Sequence, residues 1–239
     1  MTPINALPAH SATECDGCYH NFGAHLKDGG MSKTKIKSQR NLMAILRGVK
    51  PDEVIGIGEA LVAGGVSLVA VTLNSADAFE SVSHLSKALA GRAEIGGGTV
   101  TGIDQIADLI DAGGAFAVAP NADPYVIEVA RSRHLKTFPG VFTTSEAFAA
   151  IETGADVLNL YPAFLLGAAG IKALKAVLPP QVPLWAIGGV TAADLPAYAA
   201  AGCVGFGLGS GLYEPGMPAT DVQANAETFS EAFDAAFGN

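Results

Sequence analysis

The chain has 239 residues, 49% hydrophobic and 15% charged, a balance that builds a large core and suits one barrel better than two small domains because apolar residues are spread evenly. A formal net charge of -9 leaves no basic surplus to neutralise phosphates along a nucleic acid, although backbone amides can still hold a small anion. No apolar run reaches the roughly 18 residues of a membrane helix, no basic-then-apolar leader opens the chain, and three cysteines do not make a secreted disulfide framework, so the reading is cytoplasmic.

Residues 1–31 read as a flexible N-terminal extension, because Pro3, Pro8, Gly17, Gly23, Gly29 and Gly30 interrupt any periodicity. Cys15, Cys18, His20 and His25 are all types that ligate zinc, and a small metal clip is an alternative reading there. The spacing to the histidines is shorter than in zinc fingers, Tyr19 breaks the haem-attachment pattern, and the reading adopted is metal-free and without a cofactor. Met31 is an alternative start.

Residues 32–239 repeat one unit: a short apolar run, a turn, then an amphipathic segment with three- and four-residue spacing. Strand runs fall near Met43–Leu46, Leu68–Leu73, Ala93–Ile95, Phe116–Ala119, Lys136–Phe138, Val157–Tyr161, Leu184–Ile187 and Val204–Leu208. Helices follow each, opening at Pro51-Asp52, Ser75 to Asp77, Gly102 to Asp104, Asp123-Pro124, Thr144 to Glu146, Ala168 to Gly170, Thr191 to Asp194 and Asp221. Ala63-Gly64, Ala112-Gly113, Thr153-Gly154 and Ala201-Gly202 end helices. Eight alternating units describe a (β/α)₈ TIM barrel, with a doubly wound open sheet as runner-up.

A barrel carries its site at the C-terminal strand ends. Two of those ends are glycine-rich: Gly188-Gly189, and Gly209 with Ser210. There, backbone amides can approach a phosphate closely. Arg47 ends an apolar strand, where a guanidinium calls for an anionic partner, either a structural carboxylate or a ligand carboxylate. Gly96-Gly97-Gly98 completes neither a Walker loop nor a dinucleotide fingerprint.

The stretch Asp156 to Pro162 puts Val157, Asn159 and Tyr161 on one strand face and Leu158 and Leu160 on the other. A lone amide between apolar neighbours is either an asparagine satisfied by backbone groups or the occupant of a catalytic position.

Taken together, Ala44-Ile-Leu-Arg47-Gly48, Thr72-Leu-Asn-Ser75, Ile95-Gly-Gly-Gly-Thr99-Val100, Pro120-Asn121, Pro139-Gly140, Ile171-Lys-Ala-Leu-Lys-Ala-Val-Leu-Pro179 and Gly188-Gly-Val-Thr191 resemble the 2-keto-3-deoxy-6-phosphogalactonate aldolases and their 2-keto-3-deoxy-6-phosphogluconate relatives. The match runs from about residue 36 to the C-terminus. The resemblance implies a homotrimeric barrel lyase of carbohydrate metabolism that cleaves a phosphorylated keto-deoxy sugar acid to pyruvate and glyceraldehyde 3-phosphate without a metal. It implies that Arg47 and Asn74 hold the keto-acid end, that Thr99, Pro120 and Tyr161 line the pocket, and that Gly188, Gly189, Gly209 and Ser210 take the phosphate.

Both catalytic positions depart from the family. Its Schiff-base lysine falls on Asn159 and its proton-transferring glutamate on Ala70. An amide nitrogen is not a nucleophile, and alanine moves no proton. Lys172 and Lys175 belong to the following helix and Lys136 starts the fifth strand, so none is placed to substitute. The expectation is an aldolase relative whose activity is lost or altered; the alternative is a non-catalytic sugar-acid binder or a structural trimer subunit.

Overall fold

The computed structural model describes residues 40–238. The extension expected over residues 1–31, with Cys15, Cys18, His20 and His25, lies outside the described residues.

Strand β2 (Leu68–Thr72) shows how the sequence makes the layers. All five residues are buried, because a parallel strand is covered on both faces. Leu68 and Ala70 pack inside the barrel, whereas Val69 and Val71 face the helix layer. The same alternation sends Met43 inward from β1 (Leu42–Leu46), Phe116 and Val118 from β4 (Phe116–Val118), and Trp185 and Ile187 from β8 (Leu184–Ile187). Phe116, Phe138 and Trp185 stack edge to face, with centroids 5.7 and 5.3 Å apart, the arrangement that ring quadrupoles favour.

Those rings fit because their neighbours are small. A Cβ at Gly96 in β3 (Glu94–Gly98) would strike the Phe116 ring, and one at Gly205 in β9 (Cys203–Leu208) would strike Trp185. This is also why β3 runs through Gly96 and Gly97 to Gly98, beyond the Ile95 end that its apolar run suggests.

Every strand pair is parallel, in the spatial order β5-β4-β3-β2-β1-β9-β8-β7-β6. The terminal members of that order, β5 (Lys136–Phe138) and β6 (Gly140–Val141), are consecutive in the chain and separated only by Pro139. Proline has no N–H to give the ladder, so the expected strand stops at Phe138 and the chain resumes as the two-residue β6, which the eight expected strands did not include. β5 pairs with β4 and β6 pairs with β7 (Leu158–Leu160). Asn159 N–H donates to the Pro139 carbonyl at 2.9 Å and Tyr161 N–H to Val141 at 3.1 Å. The circle therefore closes, and the fold is a (β/α)₈ TIM barrel rather than an open doubly wound sheet.

Among the described residues, eight α-helices coat it: α1 (Val54–Ala63), α2 (Ala78–Ala88), α3 (Asp104–Asp111), α4 (Pro124–Ser132), α5 (Thr144–Thr153), α6 (Ala163–Val177), α7 (Leu195–Ala200) and α8 (Ala219–Phe237). Asp123 caps α4, with Pro124 in the first turn. Thr143 and Glu146 form a capping box on α5. Helix α6 starts at Ala163 rather than at Ala168 to Gly170, and Gly167, at φ 58° and ψ 176°, breaks its regular winding.

Among the described residues, no helix is long and apolar enough to cross a membrane.

Candidate functional site

A cavity of about 550 Å³ opens at the C-terminal strand ends, the end where barrels carry their sites. Ile45, Arg47 and Gly48 enter it from β1, Gly98 and Thr99 from β3, Val118 to Pro120 from β4, Asn159 and Tyr161 from β7, and Ile187 to Gly189 from β8. Gly209, Ser210 and the run Tyr213-Glu214-Pro215 after β9 complete the wall.

Arg47 is exposed at the mouth, not buried under the strand end. Its guanidinium donates from Nη1 to Asn74 Oδ1 at 3.1 Å. Among the described residues it forms no ion pair, which leaves its charge for a ligand. Asn74 does not line the cavity; it reaches the site through Arg47. Beneath them, Gly48 N–H donates to Ser75 Oγ at 2.8 Å, and Ser75 Oγ lies 2.9 Å from Thr72 Oγ1. The end of β2 thereby holds the end of β1 in place.

Thr99 has φ 58°. A β-branched residue in the left-handed region is strained, and the cavity wall is where that strain is held. Across the mouth, Gly188 and Gly189 have φ of 92° and 67°, a conformation suited to glycine that turns the backbone after β8 back toward the opening. The amides of Gly189, Ser210 and Gly211 donate to no other described residue. Such a cluster of unengaged N–H groups is what an anion needs.

Asn159 is buried, with 1% of its surface exposed. Its Nδ2 donates to the Phe138 carbonyl at 2.7 Å, while Oδ1 has no partner among the described residues. A backbone carbonyl thus satisfies one half of the amide, and the other half has no partner among the described residues. Ala70 also points into the barrel, packed with Val118, Ile187 and Ile45, but it lies below the wall and not on it.

No lysine among the described residues lines the cavity. Lys136 sits at the opposite end of the barrel, its Nζ 5.2 Å from the Phe138 ring centroid, and Lys172 is exposed. Lys175 is half-buried and donates to the carbonyls of Pro180 and Val182 at 2.9 and 3.1 Å. No group of three or more histidine, cysteine or acidic side chains that could hold a metal occurs among the described residues.

Sequence reasoning missed Tyr213 and Glu214. Tyr213 is buried, and its hydroxyl donates to Glu53 Oε1 at 3.0 Å. Burial and that carboxylate push the phenol well above its ordinary range, so it stays a donor at every working pH. Among the described residues, Glu214 is the one acidic side chain on the cavity wall. The signal was their place directly after Gly209-Ser210, in a turn whose amides at Leu212 and Tyr213 fold back onto the Gly209 carbonyl.

The family model described as KDPG and KHG aldolase matches residues 33–227. The chain belongs to that aldolase family. Among similar members, the Rhizobium meliloti (strain 1021) protein named "Probable 2-dehydro-3-deoxy-6-phosphogalactonate aldolase" is 44% identical over 200 residues, covering 84% of this chain and 94% of that one. The 2-dehydro-3-deoxy-6-phosphogalactonate aldolase of Escherichia coli (strain K12) is 38% identical over 192 residues, covering 80% and 94%. A solved structure described as "Native KDPGal structure" superposes with a TM-score of 0.83 at 37% identity, covering 85% of this chain and 98% of that one. A designed porous cage built by fusing symmetric oligomeric domains contains a similar fold, with a TM-score of 0.82 at 37% identity, covering 84% and 74%. Aldolases of this family are lyases, and the barrel and strand-end cavity of this member are those just described.

Proposed function

We propose that this aldolase-family chain binds a phosphorylated keto-deoxy sugar acid, or the pyruvate end of one, and that Schiff-base aldol cleavage is lost or altered. Asn159 carries the proposal: a buried amide, not an amine, occupies the cavity wall on β7. A deprotonated amine attacks a carbonyl and the resulting iminium draws electrons from the breaking carbon–carbon bond. An amide nitrogen, its lone pair delocalised, does neither. Ala70, taken as the position of the family's glutamate, removes the proton carrier as well, and groups that act as one unit are lost together.

Retained binding is supported by the groups still present. Arg47, oriented by Asn74, would hold the carboxylate. The turns at Gly188, Gly189, Gly209 and Ser210 would hold the phosphate through backbone amides and the Ser210 hydroxyl. Thr99, Pro120 and Tyr161 would line the space between. The relatives named above act on 2-dehydro-3-deoxy-6-phosphogalactonate by name, which supports that ligand class without choosing between galactonate and gluconate forms.

A homotrimer in the cytoplasm is the assembly proposed. Phe164 and Leu165, 60% and 63% exposed beside the cavity at the start of α6, supply an apolar patch of the kind that copies of a chain cover. The non-catalytic reading, a sugar-acid binder or structural subunit, draws on the same Asn159 and Ala70.

Calorimetry with 2-keto-3-deoxy-6-phosphogalactonate, combined with borohydride trapping in pyruvate, tests the proposal. Binding without a trapped adduct and without release of pyruvate is the expected result. A reduced pyruvate–lysine adduct would overturn the loss of Schiff-base chemistry, and absence of binding would overturn the retained pocket.

A further inference from the structure

We infer that Ser75 is a positioning residue for Arg47: its hydroxyl fixes the peptide plane from which the guanidinium is aimed over the cavity. The inference rests on the reading of Arg47 as the group that holds a ligand carboxylate, and it adds what keeps that group in place.

Arg47 stands beside a swivel. The paired residues of β1 end at Leu46, opposite Val71 on β2, so the ladder that orders the strand stops short of Gly48. Gly48 has φ 73°, and a glycine in that conformation leaves the chain free to turn. An exposed arginine on a loose base would have to be immobilised by each ligand that binds it.

The end of β2 removes that freedom at two points. Asn74 Oδ1 accepts from the tip of Arg47, at Nη1, 3.1 Å away. Ser75 Oγ accepts from the Gly48 N–H at 2.8 Å. A peptide unit is planar, so directing that N–H also directs the Arg47 Cα, which lies in the same plane. Ser75 is itself tied to the core. Its N–H donates to the Thr72 carbonyl at 2.9 Å, its Oγ lies 2.9 Å from Thr72 Oγ1, and Thr72 is fully buried. On the far side of Gly48, Pro215 closes the remaining space, since a Cβ on the glycine would lie 3.0 Å from Pro215 Cγ. Ser75 does not line the cavity, so it acts on a ligand through Arg47.

Calorimetry with 2-keto-3-deoxy-6-phosphogalactonate on the intact chain and its variants tests this role. Ser75→Ala should weaken binding by about three- to tenfold, the cost of ordering one loose side chain. In an Arg47→Ala background the same change should have no further effect, because nothing is left to position. Ser75→Thr keeps the hydroxyl and should bind like the unaltered chain. Ser75→Cys, whose sulfur is a weak acceptor, serves the comparison if the alanine variant does not fold. Ser230→Ala is the control for a merely structural hydroxyl: buried Ser230 donates to the Gly64 carbonyl at 2.7 Å, where α1 ends, and its loss should lower the Tm without changing affinity.

Unchanged affinity in Ser75→Ala, with weaker binding in Arg47→Ala, would overturn the positioning role and leave the carboxylate reading standing. Equal losses from Ser75→Ala with and without Arg47 would overturn it too, because the effect would then be a general loosening. If Arg47→Ala binds as tightly as the unaltered chain, or if that chain does not bind the acid, the carboxylate reading falls and the role of Ser75 falls with it.

Discussion

Arg47 and Asn74 stand 27 residues apart in the chain and meet across two strand ends, Nη1 to Oδ1 at 3.1 Å. The guanidinium is exposed and would sweep widely without that acceptor. With it, the charge is aimed over the cavity. Arg47→Ala should weaken a carboxylate ligand by about tenfold or more, the loss of one charge-assisted bond. Asn74→Ala should weaken it by about two- to fivefold, because Asn74 only orients Arg47. Calorimetric titration measures both; equal losses would place Asn74 in direct contact with the ligand.

Thr99 should trade stability for binding. At φ 58° a threonine stores about 1 kcal/mol or more of strain that glycine would not. Thr99→Gly is expected to raise the Tm by about 2 to 4 °C and to weaken ligand binding by removing part of the wall. An unchanged or lowered Tm would show that this turn is not under strain.

Restoring the chemistry requires two groups together. Asn159→Lys places an amine among apolar neighbours, where desolvation lowers its pKa toward the reactive form. The single variant should trap pyruvate under borohydride yet cleave poorly. Adding Ala70→Glu should raise cleavage by roughly 10² to 10⁴-fold, the usual worth of a placed acid/base. An absence of trapping in the double variant would place residue 159 out of reach of the ligand carbonyl.

Acid should destabilise the fold through two carboxylates. Asp234 accepts from Arg40 Nε and Nη2 at 2.7 and 2.6 Å, which holds its pKa below the ordinary 3.8. Glu146 is held below 4.5, first by the Phe142 N–H and then by that of Thr143. A lowered folded-state pKa means stability that is present above the ordinary value and lost as pH falls through the folded one. Asp234→Asn should cost about 1 kcal/mol at pH 7 and little near pH 2. Thermal melts across that range would expose the error if the loss were independent of pH.

Cys203 should be inert while the protein is folded. It is buried, and burial pushes its thiol up to about 12, so almost no thiolate exists at pH 8. Iodoacetamide followed by peptide mapping should find residue 203 unmodified in the native chain and modified in urea. Rapid native labelling would contradict its packing.

The amino-acid sequence determined a good deal here by itself. Alternation in β2 and β7 and turn chemistry at Gly154, Asp123 and Thr143 act over a few residues, so the repeating strand and helix units, the inward aim of Asn159 and the glycine turns at 188 and 209 were legible in it. Only the tertiary structure decided three other things. Closure runs through Pro139, where one strand ladder is handed from β4 to β7. Tyr213 and Glu214 join the wall because the turn after Gly209-Ser210 folds back on itself, and Ala70 stops short of it. The Asn159 amide is turned by a carbonyl 21 residues away. Each of these depends on register between strands distant in the chain, and register is set by the packing of the whole barrel rather than by any local pattern.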